Sequence, residues 1–109
     1  VQCVAEADGR AYPCDFYAMD GYCLGNYNDN SIGEFFESET AKHFVEESLK
    51  HDKACRECCW VHLCRNGCRR HRMQDEETGL YRNHFCAGYQ MFFEKCAPRM
   101  KEIADYLSK

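Results

Sequence analysis

A group of closely spaced cysteines in the middle of the chain contains the side chains best suited to chemistry. Cys55, Cys58, Cys64 and Cys68 follow the spacing C-x2-C-x5-C-x3-C, and Cys86 lies farther along the chain. A C-x2-C turn brings two sulfurs to one metal centre, and later cysteines complete the ligand set. Three kinds of site use such a pattern: a [4Fe–4S] cluster, a Zn²⁺ ion, or a set of disulfides. The spacing alone leaves all three open.

The composition indicates a small reinforced domain. Ten cysteines in 109 residues are a high share, typical of a fold held by metal or disulfides. The formal net charge of -4 argues against a general nucleic-acid binder, and no apolar run is long enough for a membrane span. No signal peptide is visible, which favours metal ligands over disulfides and predicts a cytoplasmic location. Because the chain begins at Val1, we expect a piece of a longer protein.

Basic residues surround the central cysteines, at Arg65, Arg69, Arg70 and Arg72. A thiolate-ligated iron–sulfur cluster is a net anion, which nearby guanidinium groups would stabilise. Gly67 would let the backbone approach a bulky inorganic core closely. These features favour the cluster, although a solvated basic face would explain the same arginines.

The segment before the cysteine group is predicted to form a β-hairpin and a loop. Residues 2–14 surround the turn pair Asp8-Gly9, in which glycine accepts a positive φ without a steric cost. Pro13 lacks an N–H group, so the second strand should end there. Turn-forming residues dominate 15–30, which predicts an irregular loop.

Helices are predicted on both sides of the cysteine group. Ser31 and Glu34 fit a capping box, which predicts a helix that breaks near Ser38 and then resumes. Apolar residues at helical spacing predict a last helix over about 85–107. Pro98 predicts either a kink in that helix or the start of a second one.

Several short motifs form a specific combination over nearly the whole chain. They are Gly9-x4-Cys14, Tyr12-Pro13-Cys14-Asp15-Phe16-Tyr17, Leu24-Gly25-Asn26, Cys55-x2-Cys58-x5-Cys64-x3-Cys68, Leu63-Cys64-Arg65-Asn66-Gly67-Cys68-Arg69-Arg70 and Phe85-Cys86-x2-Tyr89-x2-Phe92-Phe93. Together they resemble the SPASM domain, the C-terminal auxiliary-cluster extension of radical S-adenosylmethionine (SAM) enzymes that modify peptides. Within that group the chain resembles anaerobic sulfatase-maturating enzymes. Asn66 replaces the glycine expected in the usual Gly-Gly-Cys.

The resemblance implies two auxiliary [4Fe–4S] clusters. One would be held by four cysteines: Cys55, Cys58, Cys64 and Cys86. The other would take Cys14 and Cys68, together with two cysteines expected just upstream of the chain. Such crossing of a nearby cysteine to a second cluster also occurs in two-cluster ferredoxins. From the residues themselves, Trp60 and Phe85 are expected to shield a cluster from solvent, and ordinary core packing predicts the same burial.

The resemblance also implies a reaction, the oxidation of an active-site Cys or Ser of a sulfatase polypeptide to Cα-formylglycine. Asp15 matches the base proposed for the family, and a nearby anionic cluster would raise its pKa. From the residues alone, a carboxylate that caps a turn would explain Asp15 as well. The C-x3-C-x2-C motif of the SAM-binding cluster is absent, since His71 stands at the required position after Cys64-x3-Cys68. We therefore expect this chain alone to be inactive, with SAM bound only by an upstream radical SAM domain of the parent oxidoreductase.

The sequence thus predicts a single small α+β domain over residues 1–109, with an N-terminal β-hairpin, a loop region and helices that close over a metal centre. No nucleic acid or membrane partner is expected. The alternative is a structural zinc module, in which Cys55, Cys58 and Cys64 bind Zn²⁺ with either Cys68 or Cys86. Zn²⁺ is also expected as a substitute in the same site of the isolated chain. A disulfide domain would instead have no titratable thiols.

Overall fold

The computed structural model describes every residue from Val1 to Lys109. The chain divides into two compact units, Val1–Lys50 and His51–Lys109. Each unit combines short strands with helices, so the predicted α+β class is confirmed. That the whole chain acts as a single domain stays a prediction. None of the helices has the length and apolar content that a membrane span requires.

The first unit begins with a three-stranded antiparallel sheet in the order β1-β2-β3. Its strands are β1 (Val4–Ala5), β2 (Arg10–Tyr12) and β3 (Gly25–Asn26). β1 and β2 form the predicted hairpin, and Gly9 in its turn has a φ of 86°. β3 lies inside the segment predicted as an irregular loop. It pairs with β2 because the Leu24 N–H donates to the Ala11 carbonyl at 2.8 Å, a contact across the chain that local turn residues do not reveal.

Two helices follow in the first unit, α1 (Ile32–Glu37) and α2 (Glu39–Ser48). The predicted capping box starts α1, because the Glu34 N–H donates to Ser31 Oγ while Glu34 Oε2 accepts from the Ser31 N–H at 2.6 Å. The predicted break lies at Ser38, which ends α1 and caps α2.

The first unit has an apolar core of its own. Phe35 is fully buried at its centre. The members of this core come from β2, the segment before β3 and both helices: Ala11, Leu24, Phe35 and Ala41. Burial of these side chains stabilises the unit.

The second unit contains two short helices, a strand pair and one long helix. Their bounds are α3 (Lys53–Arg56), α4 (Val61–Cys64), β4 (Arg72–Gln74), β5 (Tyr81–Asn83) and α5 (Cys86–Leu107). β4 and β5 are antiparallel, with Arg72 opposite Asn83 and Met73 opposite Arg82. α5 continues through Pro98 as one helix, so no second helix begins there.

Candidate metal centre

Four cysteines line one cavity of about 340 Å³ in the second unit. They are Cys55, Cys58, Cys64 and Cys86. Apolar and aromatic side chains share this wall, among them Trp60, Val61, Tyr89 and Phe93. We call this space the four-cysteine cavity. The cysteines that the motif resemblance assigns to one cluster therefore face a common space.

Helix ends position the four thiols. Asp52 caps α3, where its Oδ1 accepts from the Cys55 N–H at 2.8 Å. The next thiol follows directly, because the Cys58 N–H donates to the Cys55 carbonyl at 3.2 Å. Cys64 is the last residue of α4, and Cys86 is the first residue of α5. Two turns and two helix ends thus define the cavity wall that carries sulfur.

The loop after Cys64 reverses the chain through three consecutive left-handed residues. Arg65, Asn66 and Gly67 have φ values of 49°, 64° and 55°. The Arg72 guanidinium ties this loop together, since it donates to the carbonyls of Arg65, Asn66 and Gly67 at 3.2, 3.0 and 3.1 Å. Arg72, one of the basic residues expected to stabilise a cluster, therefore holds the backbone beside Cys64.

Gly67 is required by its surroundings. A Cβ atom at this position would lie 2.6 Å from Asn83 Nδ2 and 2.9 Å from Tyr89 Cε2. Both neighbours are packed side chains, so a larger residue would displace the end of β5 or the start of α5. The close approach expected of Gly67 is thus made to protein atoms of the second unit.

Asn66 is the buried polar centre of the second unit, with 2% of its surface exposed. Its Oδ1 accepts from the Asn83 N–H at 2.8 Å and lies 3.4 Å from the Cys55 thiol. Its Nδ2 donates to the Tyr81 carbonyl at 2.9 Å and lies 3.2 Å from His51 Nδ1. The residue that the sequence marks only as a departure from glycine therefore joins α3, the loop after Cys64, and β5.

An ion pair connects a lining residue of the four-cysteine cavity to the cap of α3. Arg82 lines the cavity, and its Nε donates to Asp52 Oδ2 at 2.6 Å. The hydrogen bond that Arg82 donates to Asp52 raises the pKa of Arg82, and the Cys86 and Cys55 thiols act in the same direction. Burial alone would raise the pKa of Asp52, but the Cys55 N–H and the Arg82 guanidinium lower it. The sequence motifs give no signal for this pair, because it forms across thirty residues.

Burial favours the protonated form of two of the four thiols, Cys55 and Cys86. Burial raises the pKa of Cys55 to about 11, and the Asp52 carboxylate adds to this effect. Burial also raises the pKa of Cys86, against a smaller opposite effect from Arg82. Thiolate is the form that binds metal, so a metal centre here must displace protons.

The donor set fits a cluster better than a single ion. No three His, Cys, Asp or Glu side chains of the chain are grouped closely enough to hold one metal ion. A Zn²⁺ ion needs its sulfur ligands at about 2.3 Å from one point. A [4Fe–4S] cluster distributes four thiolates over separate irons, so its ligands surround a volume. Four thiols around a common cavity match the requirement of a [4Fe–4S] cluster. The zinc alternative is therefore not favoured.

The remaining predicted site residues lie in different places. Cys14 follows β2 in the first unit, and its thiol donates to Asp15 Oδ1 at 3.3 Å. Asp15 is exposed, and the same oxygen accepts from the Phe16 N–H at 3.1 Å. Cys68 lies in the second unit, where its carbonyl accepts from Asn83 Nδ2 at 3.2 Å. A shared cluster at Cys14 and Cys68 and a base at Asp15 stay predictions.

The aromatic side chains around the four-cysteine cavity differ in part from the expected ones. Trp60 lines the cavity and stacks on Phe93, with ring centroids 5.8 Å apart. Phe85 is half-exposed and does not line the cavity. None of the ten cysteines forms a disulfide, so the structure gives no support to the disulfide alternative.

Comparison with known families gives one match that covers more than half of the chain. Residues 1–59 match SPASM, an iron–sulfur cluster-binding domain. The chain is 41% identical over 104 residues to the cysteine-type anaerobic sulfatase-maturating enzyme of Clostridium perfringens (strain 13), covering 95% of the chain and 28% of that protein. It is 40% identical over 105 residues to the enzyme of the same name from Clostridium novyi (strain NT), covering 96% and 28%.

Solved structures show the same likeness. Native anSMEcpe with bound AdoMet and the Kp18Cys peptide matches with a TM-score of 0.80 and 41% identity, covering 96% of this chain and 29% of that one. Native anSMEcpe with bound AdoMet alone matches with a TM-score of 0.78 and 40% identity, covering 97% and 29%. The resemblance predicted from the motifs is confirmed. The chain spans only 28% of the length of the curated relatives above.

Proposed function

Because this chain belongs to the SPASM family of iron–sulfur cluster-binding domains, we propose that it holds an auxiliary [4Fe–4S] cluster in the four-cysteine cavity. The ligands would be Cys55, Cys58, Cys64 and Cys86. The observation that supports this proposal most directly is that these four thiols line one cavity. A cluster bound there would supply one-electron redox chemistry.

The protein groups around the cavity would bind, orient and protect the cluster. Asp52 fixes the turn that presents Cys55, and the loop held by Arg72 fixes the backbone after Cys64. The stacked rings of Trp60 and Phe93 would exclude water from the cavity wall. These contacts would hold the ligand thiols in place around the cluster.

The proposal is tested by anaerobic reconstitution of the chain with iron and sulfide. A C14S/C68S background removes the other predicted ligands, so that only the four-cysteine cavity remains. We expect about four irons and four sulfides per chain, with the Mössbauer and visible spectra of a [4Fe–4S] cluster. C86S in this background should lose the cluster, whereas C96S, a second cysteine of α5 outside the cavity, should keep it. The proposal would be contradicted if C86S bound as much iron as its parent, or if the site bound only zinc.

For the whole protein we propose the reaction of an anaerobic sulfatase-maturating enzyme, the oxidation of an active-site Cys or Ser of a sulfatase polypeptide to Cα-formylglycine. Support comes from the named Clostridium relatives and from the anSMEcpe structures that contain AdoMet and a peptide. SAM would bind in an upstream radical SAM domain. Asp15 would accept the proton of the substrate thiol or hydroxyl, and it is exposed at the surface of the first unit.

The reaction is tested in the full-length protein that contains this chain. The reduced protein is incubated with SAM and with two sulfatase peptides that differ only in Cys or Ser at the target position. Mass spectrometry should detect the aldehyde in at least one peptide and 5′-deoxyadenosine in solution. Cleavage of SAM without any aldehyde in either peptide would count against the proposed substrate.

A further inference from the structure

We propose that the Asp52–Arg82 ion pair sets the reduction potential of the cluster in the four-cysteine cavity, with Arg82 raising it and Asp52 lowering it. The inference rests on the proposed function, because it requires a cluster in that cavity. It concerns two charged side chains that are not ligands and that the family motifs do not include.

Arg82 has a position that no other strongly basic residue shares. It is the only arginine or lysine among the residues that line the four-cysteine cavity. The basic residues expected from the sequence to stabilise a cluster do not line it: Arg65, Arg69, Arg70 and Arg72. Arg82 therefore provides the guanidinium charge in the cavity wall that contains the four cysteines.

Asp52 brings the opposite charge next to Arg82 and to the backbone of Cys55, although it does not itself line the cavity. Its Oδ2 accepts from Arg82 Nε at 2.6 Å, while its Oδ1 accepts from the N–H of the ligand residue Cys55 at 2.8 Å. The side chain of Asp52 is 20% exposed and that of Arg82 is 49% exposed, so water screens the carboxylate less than the guanidinium. The two charges partly cancel in the intact pair, and removal of either one unmasks the other.

The sign of each effect follows from the charge of the cluster. One-electron reduction takes an electron from an external mediator and makes the thiolate-ligated cluster one charge more negative. A nearby cation stabilises the reduced form, and a nearby anion destabilises it. We expect each single charge change to alter the ratio of reduced to oxidised cluster about tenfold, which is about 59 mV for one electron.

The test is a mediator-coupled redox titration, followed by electron paramagnetic resonance, of the reconstituted C14S/C68S chain. R82Q should lower the midpoint potential. D52N should raise it, because asparagine keeps an oxygen that caps α3 but has no charge. R82K should stay close to the parent, since it keeps the charge. R99Q is the matched control, because Arg99 pairs with Glu102 on α5 outside the cavity.

Opposite shifts in R82Q and D52N, with no shift in R99Q, support the inference. If R82Q and D52N have the potential of the parent, or shift it in the same direction, the inference is overturned. The proposed function still stands in that case, because the cluster is present. If R82Q binds too little iron to be titrated, the test relies on D52N alone. An unchanged or lower midpoint potential in D52N then overturns the inference. A parent chain that binds no cluster overturns the proposed function and this inference with it.

Discussion

Asn66 and Asn83 each use a side-chain amide to bind the backbone of the other. Asn66 Oδ1 accepts from the Asn83 N–H at 2.8 Å, and Asn83 Nδ2 donates to the Asn66 carbonyl at 3.1 Å. Both residues are 2% exposed. Asn66 lies two positions after Cys64, and Asn83 lies three positions before Cys86. The reciprocal bonds therefore fix the relative position of two cysteines that are far apart in the sequence.

Loss of the Asn66 side chain should lower the stability of the second unit around the four-cysteine cavity. N66G keeps a residue suited to the φ of 64° but leaves the Asn83 N–H and the Tyr81 carbonyl without these partners. An unsatisfied buried polar group costs about 1–3 kcal/mol. N66A should cost about 1 kcal/mol more, because alanine resists the left-handed conformation. The urea concentration that bleaches the visible absorption of the loaded chain should fall in the order wild type, N66G, N66A.

Asn28 provides a control for this series. It is an exposed asparagine of the first unit, and N28G should leave the bleaching midpoint unchanged. If N66A and N66G bleach at the wild-type urea concentration, the Asn66 network does not support the cysteine ligands.

Local sequence signals predicted much of the first unit. The turn at Gly9, the capping box of Ser31 and Glu34, and the break at Ser38 are each determined by residues within a few positions of one another. β3 and the β4–β5 pair were not predicted. These strands have two or three residues each, too few for a recognisable alternation, and they depend on partners elsewhere in the chain.

The cysteines of the candidate site could be predicted, because their spacing in the sequence follows a motif. The motifs grouped the four cysteines that line one cavity, although their role as ligands stays a prediction. Arg82 and Asn83 were not identified from the sequence. They reach the cavity from β5, through contacts that depend on the tertiary fold, and nothing in their neighbouring residues sets them apart.

Removal of the cluster should affect the two units differently. The only buried apolar residues of His51–Lys109 are Cys55 and Phe93, and one of these is a predicted ligand. A small domain with so little apolar burial depends on its metal for stability. After oxidation and chelation of the iron, amide hydrogen exchange should become fast across His51–Lys109 and remain slow at Phe35 and its core neighbours. Equal protection of the second unit with and without iron would show that the metal is dispensable for folding.

Trp60 should slow the loss of the cluster in air. Its ring lines the four-cysteine cavity and stacks on Phe93, so W60L would open the wall to water and oxygen. We expect the visible absorption of W60L to bleach severalfold faster on exposure to air, at equal initial iron content. F92L is the matched control, because Phe92 is an exposed aromatic residue of α5 that does not line this cavity. Equal bleaching rates in W60L and F92L would exclude a shielding role for Trp60.

Asp15 should be needed for the oxidation of the peptide but not for the cleavage of SAM. Asparagine cannot accept the substrate proton, so D15N in the full-length protein should lower formylglycine formation by about 10²–10⁴-fold. Formation of 5′-deoxyadenosine from SAM should continue in this variant. D20N is the control, since Asp20 is an exposed carboxylate of the same unit that pairs with Arg10. A normal formylglycine yield in D15N would show that Asp15 is not the base. Its role would then be to support the local turn, through the hydrogen bond that it accepts from the Phe16 N–H.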